Sequence, residues 1–257
     1  MSGKQYVFEQ PLNERIRTCM RVEILMQRFH QFLALQGIWD SYSALLTILE
    51  LTALLERGDI KQELLKELEH QHHSLKQLAS HDAVDSPKLE LLLSQQKSAV
   101  DRILRLDGKL GDHLKRVSFL LSIKQRSSIP GGNCDFDIPE LRFWLNRDHQ
   151  HRESDLRRWA APYLEIESVI HLLLDTIRDS ASPQPMIAKN GFFQQALNPH
   201  QSNKLLRISI AQNTDIYPEV SAGKHRYSIR FFNPLPIDSI SSQVKEDIGF
   251  MLSRCFL

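Results

Sequence analysis

The apolar residues of this chain change their spacing at Ser182-Pro183-Gln184-Pro185. From Pro11 to about Ser182 they recur at intervals of three and four residues, which is typical of helices. Beyond Pro185 they alternate with a period of two, which is typical of strands. Two prolines within three residues cannot continue a helix, so the change marks a boundary. The sequence therefore predicts an α+β fold, with a mainly helical domain over residues 11–182 followed by a small, mostly antiparallel β domain.

Six helices are expected in the helical domain. Arg57-Gly58 is a glycine C-cap signature that ends the second helix, and Ser86-Pro87 starts the fourth with an N-cap serine and a proline at the first helical position. Residues 127–132 interrupt the pattern with a proline and two glycines, and Pro162 is expected to bend or split the last helix. The expected spans are about 12–34, 38–56, 59–79, 86–106, 114–125 and 151–180.

The β domain is expected to be built from both ends of the chain. Three runs after the boundary have strand character, at residues 205–210, 224–231 and 247–252. Residues 6–8, which read Tyr-Val-Phe, are rich enough in strand formers to return from the N-terminus and join the same sheet. We therefore assign residues 1–10 together with 186–257 to this domain.

The strand over residues 224–231 has one apolar and one cationic side. Pairing it with the strand over 205–210 would put Arg207 beside Arg226 and Arg230. Between Lys204 and Arg230 there are five basic residues against two acidic ones, a local excess of three positive charges. Such a face is either an ordinary polar outer surface or a docking surface for an acidic partner. The side chains expected on the apolar side are His225, Tyr227, Ile229 and Phe231, opposite Lys224, Arg226, Ser228 and Arg230.

Charge and cysteine content restrict the class of protein. The 32 basic and 31 acidic residues give a formal net charge of +1, so recognition of an anionic partner must come from a local patch, and bulk nucleic-acid binding is disfavoured. Cys19, Cys134 and Cys255 have no CxxC spacing, which fits reduced thiols of a cytosolic protein. No stretch approaches 18 apolar residues, and residues 1–5 lack the apolar core of a signal peptide. A cytoplasmic location is expected.

The chain offers few groups for catalysis. It has no GxGxxG, Walker A, GxSxG or HExxH sequence, so we expect neither an enzyme nor a cofactor. His70 and His73 lie one turn apart on the third helix beside His72, and the alternative to a solvated helix face is the metal site of a metal-dependent hydrolase. Glu67, Glu69 or His81 would have to complete that site. Cys134 is expected to be packed and inert, so no metal or catalytic residue is assigned.

A second basic stripe follows the first helix. At 100° per residue, Arg17, Arg21 and Arg28 fall on one side of it. Because this helix directly follows the strand at residues 6–8, the stripe and the face of Arg207, Arg226 and Arg230 are expected to line one cleft between the domains. A cleft lined by one sign of charge would attract an anionic peptide. The apolar side of the helix is expected to carry Leu12, Cys19, Val22, Met26, Phe29 and Leu33.

Several segments, in order along almost the whole chain, resemble the ZapD family of bacterial cell-division proteins. They are Phe8-Glu9-Gln10-Pro11-Leu12-Asn13-Glu14-Arg15-Ile16-Arg17, Ser128-Ile129-Pro130-Gly131-Gly132-Asn133-Cys134-Asp135-Phe136-Asp137-Ile138-Pro139, Asn190-Gly191-Phe192-Phe193 and Tyr217-Pro218-Glu219-Val220 leading into residues 224–231. The chain departs from the family pattern at Gln10, where a histidine is common, and at Ala222-Gly223, which replaces a Gly-His pair. Neither departure touches an arginine.

The resemblance implies a cytoplasmic, non-enzymatic homodimer that acts at the division site at midcell. It would bind the C-terminal tail of the tubulin-like protein FtsZ, and two tail sites per dimer would cross-link and bundle FtsZ protofilaments at the septal Z ring. The resemblance also implies that arginines around the interdomain cleft bind this tail. The matching positions are Arg21, Arg57, Arg226 and Arg230, with Arg142 where relatives carry a basic or histidine side chain.

A single-stranded nucleic-acid-binding module is the other alternative, because it too would use the basic strand face. A base-stacking platform needs aromatic side chains on that exposed face, whereas Tyr227 and Phe231 fall on the apolar side. We therefore expect FtsZ and a second copy of the chain as partners, and neither nucleic acid nor membrane.

Overall fold

The structure is a computed structural model that describes residues 5–78, 85–198, 202–212, 214–234 and 242–257. The described residues form seven α-helices and two small antiparallel sheets, which confirms the predicted α+β class. The chain divides into two compact units, one of Met1–Arg17 with Leu174–Leu257 and the other of Thr18–Leu173. We call them the β unit and the helical unit. Their limits fall inside the first and last helices, whereas the sequence placed domain boundaries near residues 10 and 182.

The helices lie close to the expected spans, with one addition and one division. The predicted helix over 114–125 is a 3₁₀ turn, Leu114–Arg116, followed after Val117 by a separate α-helix. A short helix that was not predicted begins at Pro139, and its Leu141, Trp144 and Leu145 are buried. The helices are α1 (Glu14–Leu33), α2 (Ile38–Leu55), α3 (Ile60–Leu78), α4 (Ser86–Arg105), α5 (Ser118–Arg126), α6 (Pro139–Leu145) and α7 (His149–Arg178).

Two details of the helix ends and interiors differ from the prediction. The N-cap of α4 is Asp85, not Ser86, because the Asp85 carboxylate accepts a hydrogen bond from the backbone N–H of Lys88 at 3.2 Å. Pro162 lies inside α7, which continues through it as one helix. A proline removes one backbone donor. In a 30-residue helix whose buried face includes Trp159, Tyr163 and Ile166, packing maintains the helix on both sides of the proline.

Helix α2 is long and apolar enough on average to span a membrane by length and composition, although polar and charged residues interrupt its apolar sequence. It carries Asp40 and Glu50, and half of its residues are buried inside the protein. Leu45, Ile48 and Leu51 have no exposed surface. These features are those of a core helix of the helical unit.

A buried arginine connects three segments of the helical unit. Arg152, in the first turns of α7, is only 4% exposed. Its Nε donates to Ser41 Oγ on α2 at 3.0 Å, and its Nη2 donates to the carbonyl of Gln36 at 2.9 Å. Its Nη1 donates to the carbonyls of Leu145 and Arg147 in the α6–α7 connection. One guanidinium thus satisfies backbone groups of two connecting segments that no helix hydrogen bond could satisfy.

Two sheets make up the β unit, and neighbouring strands within each are antiparallel. The first sheet has the order β1-β4-β8-β2 and the second the order β3-β6-β5, with β7 also paired to β6. The predicted return of the N-terminal strand into a sheet is confirmed by β1, whereas β2, β3, β5 and β7 were not predicted. The strands are β1 (Gln5–Pro11), β2 (Gln184–Ala188), β3 (Phe192–Ala196), β4 (Leu205–Ala211), β5 (Tyr217–Ala222), β6 (Arg226–Asn233), β7 (Ser242–Gln243) and β8 (Ile248–Cys255).

Both sheets contribute to one apolar core. The first sheet supplies every second residue of β4 together with residues of β2 and β8, and the second supplies every second residue of β6. Each sheet therefore has an inner face in this core and an outer face pointing away from it. Pro185 is accommodated because β2 is an edge strand. The buried members are Ala188, Leu206, Ile208, Ile210, Tyr227, Ile229, Phe231, Val244, Phe250 and Leu252.

We expect Arg152→Met to lower the free energy of unfolding by more than about 3 kcal/mol, because it leaves buried carbonyl groups without donors. Chemical denaturation followed by circular dichroism measures this. Arg158→Met is the matched control on the same helix, since its guanidinium is exposed and binds Asp155 one turn away. The control should change stability by about 0.5 kcal/mol or less. Equal effects of the two substitutions would contradict a special role for Arg152.

Candidate functional site

The cationic strand predicted from the sequence is β6. Arg226 and Arg230 are exposed, and Tyr227, Ile229 and Phe231 are buried, which confirms the alternation over this strand. Both arginines therefore lie on the outer face of the second sheet. No ion-pair partner of either is found among the described residues, so both guanidinium groups keep donors available to a ligand.

The strand begins later than predicted. Lys224 and His225 precede β6, in the turn that leads from β5, and both are exposed. The backbone N–H of Gly223 donates to the carbonyl of Arg226 at 2.9 Å, which closes this turn. The prediction that His225 belongs to the apolar side of the strand is therefore wrong, because the residue is not part of the strand.

Arg230 lies in a row that crosses the second sheet. Its register partners are Phe192 on β3 and Glu219 on β5. The Cζ atom of Arg230 lies 5.8 Å from the centroid of the Phe192 ring, within the distance of a cation–π contact. Phe192 is brought there by the turn Lys189–Phe192, in which Asn190 and Gly191 both have positive φ. Asn-Gly is the preferred sequence for such a tight turn.

Two further aromatic residues share this face. Phe232 lies two residues after Arg230 on β6, and its register partner on β5 is Tyr217. Their rings are stacked, with centroids 5.8 Å apart and planes inclined by 23°. The premise that the exposed side of the basic strand lacks aromatic residues is therefore wrong. Phe192, Tyr217 and Phe232 all lie beside Arg230.

Arg207 is not part of this surface. It lies on β4, which pairs with β1 and β8 in the first sheet, and not with β6. The predicted pairing that would put Arg207 beside Arg226 and Arg230 is therefore wrong. Because the inner faces of both sheets enter one core, the outer face that carries Arg207 points away from the one that carries Arg226.

Arg207 instead belongs to a charge cluster around Glu9. Its Nε lies 2.9 Å from Glu9 Oε1, although the N–H is not aligned to donate to it. Arg178 is better placed, because its Nε donates to Oε1 at 3.0 Å and its Nη2 to Oε2 at 2.8 Å. Burial raises the pKa of the adjacent Cys255 thiol to about 11, with Arg207 opposing that shift. One carboxylate between two guanidinium groups is a cluster that stabilises the β unit rather than an open docking surface.

The predicted stripe on α1 is confirmed on its apolar side, where Cys19, Val22, Met26, Phe29 and Leu33 are buried. Its basic side is less open than expected. Arg17 Nη1 lies 2.5 Å from Glu14 Oε2, and Arg28 Nη2 lies 2.6 Å from Glu50 Oε2 on α2. Arg21 is exposed. The predicted cleft between this stripe and the strand arginines stays a prediction.

The other two arginines implied by the family resemblance are both exposed. Arg57 lies in the turn that follows α2. Arg142 lies on α6, with its Nε 3.6 Å from Asp135 Oδ2. An exposed contact at this distance contributes little energy, so a ligand carboxylate could replace Asp135 at small cost.

The histidine cluster does not form a metal site in the described part of the chain. No group of three or more candidate ligands is found there. His70, His72 and His73 lie on α3, and His73 Nε2 is 3.0 Å from Gln77 Nε2. His81, one of the proposed additional ligands, lies outside the described residues. Elsewhere, the Cys134 Sγ donates to the carbonyl of Gly131 at 2.7 Å.

Comparison with known proteins identifies the family. The model of the ZapD family, described as a cell division protein, matches residues 20–230. A protein named Cell division protein ZapD from Nitrosomonas eutropha is 36% identical over 250 residues, covering 97% of this chain and 99% of the relative. Proteins of the same name from Methylococcus capsulatus and Escherichia coli are 36% and 34% identical, each covering 98% of this chain and 99% of the relative. These similarities define a bacterial cell-division protein. The chain belongs to the ZapD family.

Tyr227, on the buried side of β6, should affect the stability of the protein at alkaline pH. Burial raises the pKa of Tyr227 to about 12, and its hydroxyl donates to Gln195 Oε1 at 2.7 Å. Because the folded-state pKa lies above the unfolded value of about 10, the contribution of Tyr227 is complete below pH 10 and is lost as the pH rises through about 12. Urea unfolding across this window should show a shallower loss of stability in Tyr227→Phe than in the parent. Equal pH slopes would contradict this burial effect.

Proposed function

We propose that this chain binds the C-terminal tail of FtsZ and, as a homodimer, cross-links FtsZ protofilaments into bundles that stabilise the septal Z ring. Membership of a cell-division family supports a role in division. Tail binding is supported mainly by one observation: on the outer face of the second sheet, Arg226 and Arg230 are exposed without an ion-pair partner among the described residues. An acidic tail would supply the carboxylates that these guanidinium groups lack.

The predicted site residues differ in how readily they could bind a carboxylate. Arg226 and Arg230 have no ion-pair partner to release within the described part of the chain. Exposed Arg21, Arg57 and Lys224 are proposed as additional contacts, together with Arg142, whose contact with Asp135 is long. Arg17 and Arg207 already lie beside carboxylates, so a ligand would exchange one ion pair for another with little net gain. We therefore rank the two β6 arginines first.

The proposed activity is binding without catalysis. We propose that the protein acts in the cytoplasm at midcell, with FtsZ and a second copy of itself as partners, with no cofactor, and with neither nucleic acid nor membrane as its ligand. The formal net charge of +1 supports recognition through a local patch rather than through the charge of the whole molecule.

We expect Arg226→Glu and Arg230→Glu each to weaken binding of an FtsZ tail peptide by at least about tenfold. Each exchange removes charge-assisted hydrogen bonds of roughly 1.5–3 kcal/mol and adds repulsion. Fluorescence anisotropy with a labelled tail peptide measures the affinity. Parent affinity should also fall as salt shortens the Debye length from about 10 Å at 0.1 M to about 3 Å at 1 M.

Arg105→Glu is the matched control for these variants. Arg105 is an exposed arginine at the end of α4, so its exchange changes the net charge by the same amount at a residue that is not part of the second sheet. It should leave the tail affinity within about twofold of the parent. If the folded double variant of Arg226 and Arg230 binds the tail as the parent does, the outer face of the second sheet is not the tail site.

Cross-linking requires two tail sites on one particle, so the protein should be a dimer in solution. Light scattering coupled to size exclusion should give about twice the chain mass of 29.8 kDa at the concentration used for bundling. The mass of a single chain would contradict cross-linking, although one-site tail binding could still occur.

A further inference from the structure

The outer face of the second sheet carries apolar surface that the fold does not require. Its aromatic residues point away from the core between the sheets, which is filled from the other side of the same strands. Phe192 is 37% exposed, and Tyr217 and Phe232 are partly exposed. The outer face of an antiparallel sheet is normally polar, so three aromatic side chains on one such face indicate a contact surface.

We infer that this face recognises an extended peptide in which acidic and bulky apolar side chains are two residues apart. The carboxylate would bind Arg230, and the apolar side chain would pack on the stacked rings of Tyr217 and Phe232. This inference rests on the proposed function and specifies which kinds of side chain in the FtsZ tail the site binds.

The aromatic neighbours of Arg230 organise it for this role. The Phe192 ring, with its centroid 5.8 Å from Cζ, limits the positions of the guanidinium while leaving its N–H groups to bind a carboxylate. Limiting side-chain motion before binding reduces the entropy lost when the ligand is bound. Phe192 is therefore a positioning residue for Arg230, and the pair of Tyr217 and Phe232 is the apolar subsite.

The spacing along β6 defines the ligand pattern. Arg230 and Phe232 are two residues apart on the same face, and Arg226 and Arg230 are four apart, which corresponds to about 7 Å and about 13 Å on a strand. An extended peptide has the same repeat, so it presents matching side chains at the same residue intervals. The complementary pattern is two acidic residues four apart, with an apolar residue two positions outside that pair, on the side set by the direction of the peptide.

Single-stranded nucleic acid is the competing ligand, because stacked aromatic residues and arginines also bind bases and phosphates. Glu219 is the register partner of Arg230 and is exposed beside it. A carboxylate in the middle of the face repels a phosphate backbone, which has a negative charge at every nucleotide, more than a peptide whose acidic side chains are four residues apart. The arrangement therefore favours the peptide.

The test compares Phe232→Ser and Phe192→Ser with Arg230→Ala, using the full chain and the labelled FtsZ tail peptide over a series of salt concentrations. Phe232→Ser should weaken binding about tenfold without changing the slope of log affinity against log salt. Arg230→Ala should weaken binding and flatten that slope. Phe136→Ser is the matched aromatic control, since Phe136 is 84% exposed and lies in the helical unit, and it should bind like the parent.

Phe192→Ser provides a second variant if Phe232→Ser does not fold, because Phe192 lies on an edge strand and is the more exposed of the two. Phe192→Ser should weaken binding of the tail peptide at low salt but have little effect on binding once salt screens the charge of Arg230. If both folded aromatic variants bind like the parent while Arg230→Ala does not, the inference is wrong and the proposed function stands. If all three bind like the parent, this face is not the tail site.

Two synthetic peptides test the spacing independently of FtsZ. One has aspartates four residues apart and a phenylalanine two residues outside each of them, so that it fits in either direction, and the other has the same composition with each phenylalanine only one residue outside. The first should bind about tenfold more tightly, because a shift of one residue turns an extended side chain to the opposite face. Equal affinities would overturn the inferred pattern.

Oligo(dT) tests the competing ligand. Tighter binding of oligo(dT) than of the first peptide, lost in Phe232→Ser, would show that the face binds nucleic acid instead.

Discussion

The orientation of β6 determines what this protein can present to a partner. Tyr227, Ile229 and Phe231 fill the core between the two sheets, and burying such side chains stabilises the fold by about 1.5–3 kcal/mol each. A shift of one residue would place Arg226 and Arg230 in that core, where an unpaired charge is far more unfavourable. The apolar side of the strand therefore holds the arginines on the outer face. The strand supplies part of the core and part of the surface at once.

The described arginines of this chain differ in role according to their surroundings. Arg152 is buried and binds backbone carbonyls, so it fixes connections between helices. Arg178 and Arg207 lie around Glu9, so they help to fix β1 within the β unit. Arg226 and Arg230 have no ion-pair partner among the described residues, so their guanidinium groups are available for binding. A local excess of basic residues does not by itself identify a docking surface.

The sequence predicted which side of a helix or strand is buried better than it predicted which strands pair with each other. Hydrophobic periodicity located most of the helices and correctly separated Arg226 and Arg230 from the core. It could not show that β4 and β6 lie in different sheets, because both strands have the same alternation and the choice of partner depends on contacts distant in sequence. Arg207 was therefore placed on the wrong surface.

Aromatic residues on the outer face were missed for a related reason. Phe192-Phe193 and Phe231-Phe232 are doublets, and a strand turns one ring of each doublet inward and the other outward. Composition alone would assign both phenylalanines of each doublet to the core. The Asn190-Gly191 turn signal could have located β3 and placed Phe192 at its start. The helix α6 was missed because its seven residues are too few to establish a helical period.

The central claim is that the protein recognises the FtsZ tail and joins filaments through it. Sedimentation of assembled FtsZ at a low speed that pellets only bundles tests this most directly, with full-length FtsZ compared with FtsZ lacking its C-terminal tail. We predict that the protein brings full-length FtsZ into the pellet and remains in the supernatant with the tail-deleted filaments. Equal bundling of both forms of FtsZ would contradict the claim.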